Sequence, residues 1–212
     1  MFTGIIQTVG NIESVSNLEV GVRLRIAKGN LDMSKFKIGD SIAVNGACMT
    51  IVNLDDAGFE VDVSAESLSK TCGLDEVGYA NLEGAMRLGD TLDGHLVSGH
   101  VDGVGRVMSI SKEGESHVIE VLIPKELAIF MAYKGSVAID GVSMTINNVT
   151  DAFSPEDPHS DDMISEGCII SLNVIPYTFQ NTTLQYLKGG DKVNIEIDTI
   201  ARYVRRIVDS RN

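Results

Sequence analysis

The segment that decides the fold is Ser41-Ile-Ala-Val-Asn-Gly-Ala-Cys-Met-Thr-Ile-Val-Asn-Leu54, because it occurs again 95 positions later as Ser136-Val-Ala-Ile-Asp-Gly-Val-Ser-Met-Thr-Ile-Asn-Asn-Val149. Seven of the fourteen aligned positions are identical, and most of the others are conservative exchanges. The same spacing aligns residues 3–7 with residues 98–102. Agreement in separate blocks indicates two tandem copies of one module, residues 1–95 and 96–199.

The second copy is longer than the first. Residues 61–63 align with residues 172–174, which leaves about 16 additional residues in the second copy. The insertion falls near residues 151–162, which hold two of the four prolines and five acidic residues. This composition predicts an exposed surface loop.

Each copy is typical of an all-β module. In the first copy we predict strands at residues 8–16, 20–27, 40–44, 48–54, 58–63 and 79–83. Alternation places Val20, Val22, Leu24 and Ile26 on one face of the second strand. Six short antiparallel strands favour a small closed barrel, since closure removes exposed sheet edges. Asn-Gly at 45–46 and Asp-Gly at 140–141 predict hairpin turns, and short helices are expected at residues 31–36 and 124–133.

The C-terminal residues 200–212 predict an amphipathic helix. A helical projection places one apolar stripe on Ile200, Tyr203, Val204, Ile207 and Val208, with the arginines largely off it. Such a helix either covers its own barrels or packs against the same helix of other subunits, and we favour the second interpretation.

Composition excludes several functional classes. The net charge of −13 argues against a nucleic-acid partner, which requires a cationic face. No apolar run approaches the roughly 18 residues of a membrane span, and the N-terminus lacks the features of an export signal. Three cysteines cannot all pair and fit a reducing compartment, so we expect a cytoplasmic protein. Phosphate-binding and dinucleotide-binding motifs are absent, which argues against ATP and NAD chemistry.

Cys48 and Ser143 occupy the same position in the two copies, and each is followed by Met-Thr-Ile. A small residue buried beside a hairpin is one interpretation of this position. Alternatively, each copy offers a small polar group to a ligand, in which case two related pockets hold two similar ligands.

Two histidines, His95 and His100, lie at the junction between the copies. His100 aligns with Ile5, so a titratable group replaces an aliphatic one, as expected for proton transfer. His95 is interpreted as an exposed or capping residue. A metal site would require a third ligand, and none is indicated. Asp198 is predicted to cap the C-terminal helix, a role compatible with catalysis.

Five motifs, at residues 1–7, 44–50, 94–100, 139–145 and 192–198, together resemble the riboflavin synthase family of the alpha-chain type, built from two lumazine-binding repeats. The resemblance implies two tandem six-stranded antiparallel Greek-key barrels and a C-terminal helix that forms a homotrimer. It also implies dismutation of two 6,7-dimethyl-8-ribityllumazine molecules by four-carbon transfer, giving riboflavin and 5-amino-6-(D-ribitylamino)uracil without a metal or added cofactor. Active sites would form between the first barrel of one subunit and the second barrel of a neighbour.

The resemblance also implies roles for individual residues. Cys48 and His100 would act near the ligand of the first repeat, and Ser143 and Asp198 near that of the second. The further expected substrate-binding residues are Gly4, Ile5, Ile6, Ser41, Met49, Thr50, Asp62, Ser64, Glu66, Ser67, Gly99, Val101, Lys134, Met144, Thr145, Ile175, Thr178 and Gln180. The main alternative is a non-catalytic antenna protein of the same family, which binds a lumazine or flavin.

Overall fold

The computed structural model describes residues 1–151 and 167–211 as two closed six-stranded antiparallel barrels followed by a C-terminal helix. The predicted all-β fold class is confirmed. Beyond Asp151, the predicted acidic loop lies outside the described residues, as does Asn212.

The first barrel contains six strands: β1 (Thr8–Asn17), β2 (Val22–Ala27), β3 (Ser41–Val44), β4 (Ala47–Leu54), β5 (Gly58–Val63) and β6 (Gly78–Gly84). They close in the order β1-β2-β5-β4-β3-β6. Because β2 pairs with β5 and not with β3, the connection is of the Greek-key type. Inward-facing apolar side chains, among them Leu24, Ile26 and Phe59, fill the interior.

The second barrel repeats this arrangement with β7 (Gly103–Glu113), β8 (Ser116–Pro124), β9 (Ser136–Ile139), β10 (Val142–Asp151), β11 (Gly167–Val174) and β12 (Lys192–Ile197). Its cyclic order is the same once equivalent strands are matched. Its core is separate and includes Val121, Ile146 and Leu172. In the described ranges, four α-helices complete the fold: α1 (Ala65–Lys70) after β5, α2 (Lys125–Ala128) after β8, α3 (Pro176–Gln180) after β11 and α4 (Thr199–Asp209). A 3₁₀ turn, Thr183–Tyr186, follows α3.

The predicted strands of the first copy are observed, with small differences at their ends. The prediction that Val20 shares the apolar face of the second strand is wrong. Val20 is 71% exposed, because Gly21 at φ +93° interrupts the extended backbone before β2 begins. The helix predicted at 124–133 ends at Ala128, since the next turns use bonds three residues apart, such as Phe130 N–H to Leu127 O. The helix predicted at 31–36 is a single 3₁₀ turn, Met33–Lys35.

Both predicted hairpin turns are confirmed, and they meet at the junction of the barrels. Asn45, Gly46, Asp140 and Gly141 all have positive φ, as a type I′ turn requires. A Cβ atom added to Gly46 would lie 2.6 Å from the backbone nitrogen of Gly141. Glycine is therefore required here for close approach as well as for backbone conformation.

The barrels are related by an approximate two-fold axis. Phe2 and Val97, which are equivalent in the repeat, exchange backbone hydrogen bonds of 2.7 and 3.1 Å with each other. The equivalent pair Ala43 and Ala138 packs beside them in one buried cluster. Contact between equivalent residues is the signature of a two-fold axis.

Buried amide groups extend this symmetry. The Asn81 side chain donates to the carbonyl oxygen of Asp140 at 2.9 Å, and the equivalent Asn194 donates to that of Asn45 at 3.1 Å. Asn45 Oδ1 accepts from the Asn81 backbone, and Asp140 Oδ1 from the Asn194 backbone, both at 2.8 Å. The symmetry is inexact at this position, since Asp140 has a carboxyl group where the equivalent residue, Asn45, has an amide. Burial raises the pKa of Asp140 to about 7.

The terminal helix α4 begins as predicted. The Asp198 carboxylate accepts a hydrogen bond from the Ile200 N–H at 2.8 Å and so caps the helix. Arg202 joins the helix to the second barrel through an ion pair with Asp102, at 2.9 Å. Within the described part of the chain, no helix has the length and apolar character needed to cross a membrane.

Candidate functional site

Two short segments cross from one barrel to the other and define two candidate sites. Although Gly4 belongs to the first repeat, its carbonyl oxygen accepts a hydrogen bond from the Ser143 N–H at 2.8 Å. Conversely, the carbonyl oxygen of Gly99 accepts from the Cys48 N–H at 2.8 Å. Each site therefore combines a strand of one repeat with a loop of the other.

The first-barrel site is a cavity of about 240 Å³ at the start of β4. It brings together seven of the residues implied by the resemblance, namely Cys48, Met49, Glu66, Ser67, Gly99, His100 and Val101, with Ala47, Lys70 and Thr71 completing the wall. Cys48 and His100 thus line the same cavity.

Helix α1 forms one wall of this cavity because Ser64 fixes its first turn. The Ser64 hydroxyl accepts a hydrogen bond from the Ser67 N–H at 3.0 Å, and the two hydroxyl oxygens are 3.0 Å apart. This capping interaction directs the first turn, with Glu66 and Ser67, toward Cys48.

The other expected residues of the first repeat, Ser64 among them, do not line this cavity. Ser41 and Thr50 are directly opposite each other on β3 and β4, and Thr50 is exposed. Asp62 is paired with Arg23 at 2.6 Å, and this hydrogen bond holds the pKa of Asp62 below its usual value.

The second-barrel site is built around His95 and Ser143. The Nδ1 atom of His95 lies 2.7 Å from the Ser143 hydroxyl oxygen, and the His95 backbone N–H donates to Thr3 O at 3.1 Å. Burial lowers the pKa of His95, while the charges of Asp198 and Glu196 act in the opposite direction. A neutral imidazole beside a hydroxyl group is a suitable proton acceptor.

His95 is the main candidate site residue that the sequence interpretation missed. It was expected to be exposed or capping, yet it is only 9% exposed, and its Nε2 atom has no hydrogen-bond partner among the described residues. The alignment of the two copies gives no equivalent for His95. The signal that could have found it is the pair of histidines in Gly94-His-Leu-Val-Ser-Gly-His100.

Asp198 does not complete a hydrogen-bonded triad. Its Oδ1 atom accepts from the Ile200 N–H, and neither ring nitrogen of His95 is bonded to it in the described structure. Asp198 therefore acts on His95 through its negative charge.

The remaining expected residues of the second repeat differ in burial. Met144 is buried in the barrel, whereas Thr145 is exposed opposite Ser136 on β9. From the first repeat, Ile6 packs against the second core, and Ile5 is exposed. Helix α3 occupies the position of α1 and carries the last three expected residues, with Ile175 at its N-cap followed by Thr178 and Gln180.

Lys134 has an unusual backbone conformation. Its φ of +63° corresponds to the φ of +94° at Gly39, its equivalent in the first repeat. The Lys134 ammonium group donates to Asn147 Oδ1 at 3.1 Å. Positive φ is uncommon for a residue other than glycine, and positions of this kind are often found at functional sites.

An aromatic pair distinguishes the two sites. His117 stacks on Phe179 of α3 with ring centroids 3.7 Å apart, in positions occupied by Val22 and Leu68 in the first repeat. The sequence interpretation did not identify this pair.

As for metals, no group of three or more His, Cys, Asp or Glu residues suited to metal binding is found in the described ranges.

Comparison with known proteins places these sites in context. A lumazine binding domain matches the chain twice, at residues 3–85 and 98–198. Riboflavin synthases from Photobacterium phosphoreum and Brucella abortus are each 39% identical, over 98% of this chain and 89% and 98% of theirs. The Bacillus subtilis riboflavin synthase is 34% identical over 100% of this chain and 92% of its own.

Solved structures agree with the fold. LumP in complex with 6,7-dimethyl-8-(1'-D-ribityl) lumazine has a TM-score of 0.74 at 26% identity, covering 92% of this chain and 98% of that chain. LumP with riboflavin has a TM-score of 0.77 at 26% identity, covering 93% and 99%. With two matched domains and relatives aligned over nearly their whole length, the chain belongs to the riboflavin synthase family of proteins with two lumazine-binding repeats.

Proposed function

We propose that the protein is a riboflavin synthase, a transferase that converts two 6,7-dimethyl-8-ribityllumazine molecules into riboflavin and 5-amino-6-(D-ribitylamino)uracil. The observation that carries this proposal is the 2.7 Å contact between His95 and Ser143. It provides a base and a hydroxyl group at one site, while the other site provides a thiol in the equivalent position. Two related but unequal sites suit a reaction in which two identical substrates have different roles.

The second-barrel site supplies a proton acceptor. The methyl group at ring position seven is acidic because its carbanion delocalises into the electron-poor ring. A well-placed base of ordinary strength is therefore sufficient. In our proposal Ser143, polarised by neutral His95, faces this methyl group, and the charge of Asp198 stabilises the imidazolium that forms.

The first-barrel site supplies a nucleophile for the second substrate molecule. Cys48 lines the cavity together with His100. In our proposal the thiol of Cys48 and the imidazole of His100, a proton carrier, face the same substrate ring. Addition of the thiol would make that ring an acceptor for the four-carbon unit. The two products together contain all the atoms of the two substrates, so the reaction requires no oxidant, reductant, metal or added cofactor.

Both sites require a neighbour that a single chain does not provide. His100, Ile5 and Ile175 are exposed, which leaves the site edges open to water. In the proposed homotrimer, the first barrel of one subunit faces the second barrel of the next, and the two substrate rings stack between them. Holding both rings in place removes much of the entropic barrier of a bimolecular step.

Helix α4 is proposed to hold the trimer together, because all five residues of its apolar stripe are at least 50% exposed in the single chain. We expect Ile207→Asp to convert a particle of three 22.8 kDa chains into single chains, measured by sedimentation velocity. Arg206→Gln, off the stripe, is the matched control and should remain trimeric. A native protein that sediments as a single chain, with or without ligand, would contradict the proposal.

The activity itself is tested with one substrate. Purified protein incubated with 6,7-dimethyl-8-ribityllumazine alone should form riboflavin and 5-amino-6-(D-ribitylamino)uracil in equal amounts. Absorbance and chromatography measure the two products. Lumazine binding without riboflavin formation would instead support the antenna alternative, which the structural similarity to LumP complexes makes worth testing.

Cellular location follows from the same proposal. Cys48, Cys72 and Cys168 are free thiols, which suits a reducing compartment such as the cytoplasm.

A further inference from the structure

Two buried glutamates, one in each barrel, hold the crossing segments. Glu83, on β6 of the first barrel, is 3% exposed. Its Oε1 atom accepts hydrogen bonds from the Thr3 N–H and hydroxyl, both at 2.7 Å, and its Oε2 atom accepts from the Gly4 N–H at 3.0 Å. Burial raises the pKa of Glu83, and these hydrogen bonds act in the opposite direction.

Glu196, on β12 of the second barrel, makes the equivalent interactions. It is 2% exposed, and its Oε1 atom accepts from the Ser98 N–H at 2.6 Å and from the Ser98 hydroxyl at 2.7 Å. Its Oε2 atom accepts from the Gly99 N–H at 2.9 Å. On each side of the two-fold axis, the glutamate thus accepts from one hydroxyl group, from the N–H of the same residue and from the N–H of the glycine that follows.

The geometry of each crossing segment links one glutamate to the other barrel. The N–H groups of the segment point back to the glutamate of its own repeat, and the glycine carbonyl points forward to the opposite site. Through Gly4 the forward contact is to Ser143, and through Gly99 it is to Cys48. The packing is close, since Cβ atoms added to these glycines would lie 2.7 and 2.6 Å from the Ser143 and Cys48 Cβ atoms.

We propose that Glu83 and Glu196 are positioning residues that act crosswise: Glu196 of the second barrel sets the geometry of Cys48 and His100 in the first, and Glu83 of the first barrel sets that of Ser143 and His95 in the second. His100 directly follows Gly99, and the His95 backbone N–H donates to the Thr3 carbonyl oxygen, so the backbone of each histidine is attached to a held segment. The importance of these geometries for catalysis rests on the proposed function, whereas the crosswise coupling itself does not.

Glutamine variants of the two glutamates test the two crossing segments separately. Glu196→Gln and Glu83→Gln keep one acceptor oxygen but turn an NH₂ group toward the other donor, so one hydrogen bond of each set is lost. Each variant is the matched control of the other for the hydrogen exchange test, because the two residues are similarly buried and accept from equivalent donors. Glu196→Gln also removes a negative charge that acts on His95, so exchange of the Cys48 and Ser143 amides is the deciding measurement.

The direct test is hydrogen–deuterium exchange at residue resolution in the free protein. Glu196→Gln should accelerate exchange of the Cys48 amide by about tenfold or more and leave Ser143 within about twofold, and Glu83→Gln should do the reverse. Acceleration of both amides by either variant, or of the amide in the variant's own barrel, would overturn the crosswise assignment.

A kinetic measurement adds a second readout. Each glutamine variant should lower kcat per folded chain by about tenfold with a smaller change in KM, since positioning affects the reacting geometry more than binding. A loss confined to the amount of folded protein would indicate a merely structural role. If the native protein forms no riboflavin, the exchange experiment still decides the crosswise coupling, so the two proposals fail separately.

A milder pair keeps the test valid if a glutamine variant does not fold. Ser98→Ala and Thr3→Ala each remove the hydroxyl donor of one glutamate, and Thr3→Ala also removes the acceptor of the Ile5 N–H. The same crossed pattern is expected with smaller acceleration, at Cys48 for Ser98→Ala and at Ser143 for Thr3→Ala. Equal exchange in both variants and the native protein would contradict the proposal.

Discussion

At pH 8, Asp140→Asn is expected to raise the free energy of unfolding by about 4 kcal/mol, because the native carboxyl group must ionise in a fully buried position. Burial raises the pKa of Asp140 from 3.8 to about 7, and each unit corresponds to about 1.4 kcal/mol. The substitution is conservative in shape, since the repeat already has Asn45 in the equivalent turn, where its oxygen accepts the same backbone hydrogen bond.

The pH dependence of this effect has a definite sign. Below about pH 4 the carboxyl group is protonated in both the folded and the unfolded protein, so the variant gains little. Between about pH 4 and pH 7 the unfolded chain releases its proton first, and the stability of the native protein falls relative to the variant. Above about pH 7 the difference is complete.

Denaturant unfolding of the two proteins at several pH values measures this difference. The matched control is Asn45→Asp, which introduces a carboxyl group into the equivalent turn and should destabilise the protein at pH 8. A difference between Asp140→Asn and the native protein that is constant from pH 4 to pH 8 would contradict the prediction.

Ser143→Ala and His95→Gln are each expected to lower kcat by roughly 10²- to 10³-fold, the usual contribution of general acid–base catalysis. Alanine removes the hydroxyl group that lies 2.7 Å from His95 Nδ1, and glutamine removes the titratable ring. Because the two groups act as one unit, the double variant should be little slower than either single variant. Steady-state kinetics of riboflavin formation would measure all three.

The acid limb of the pH profile provides a second check. Burial lowers the pKa of His95, so the imidazole remains neutral and active to a lower pH than an ordinary histidine. We expect kcat of the native protein to fall only below about pH 6.5, the ordinary value for histidine. Glu115→Gln, on the exposed turn between β7 and β8, is the control and should keep native kinetics. If the Ser143→Ala and His95→Gln variants each kept a kcat within tenfold of the native value, His95 and Ser143 would be excluded from the proposed mechanism.

The fold was largely predictable from sequence because the repeat supplied two independent examples of each strand and turn. Asn45-Gly46 and Asp140-Gly141 have strong local turn preferences, and the structure realises both. Local patterns were less reliable at strand ends. The alternation of apolar residues extends back to Val20, although the strand begins only after Gly21.

The sites were predictable only in part, because internal alignment identifies equivalent residues but not which barrel a segment contacts. Gly4 carries the same local pattern whether it packs on its own barrel or on the other one. Its contact with Ser143 depends on the docking of two complete barrels. His95 was missed for the related reason that it lies in the connection between β6 and β7, whereas its partner, Ser143, is 48 positions away on β10.

The two-fold contacts between Phe2 and Val97, and between Gly46 and Gly141, have a consequence for the history of the chain. A surface that binds its own copy could have joined two separate single-module polypeptides before their genes were fused. Fusion makes such an association independent of protein concentration. It also allows the halves to diverge, as Cys48 and Ser143, Asn45 and Asp140, and Gly39 and Lys134 have done.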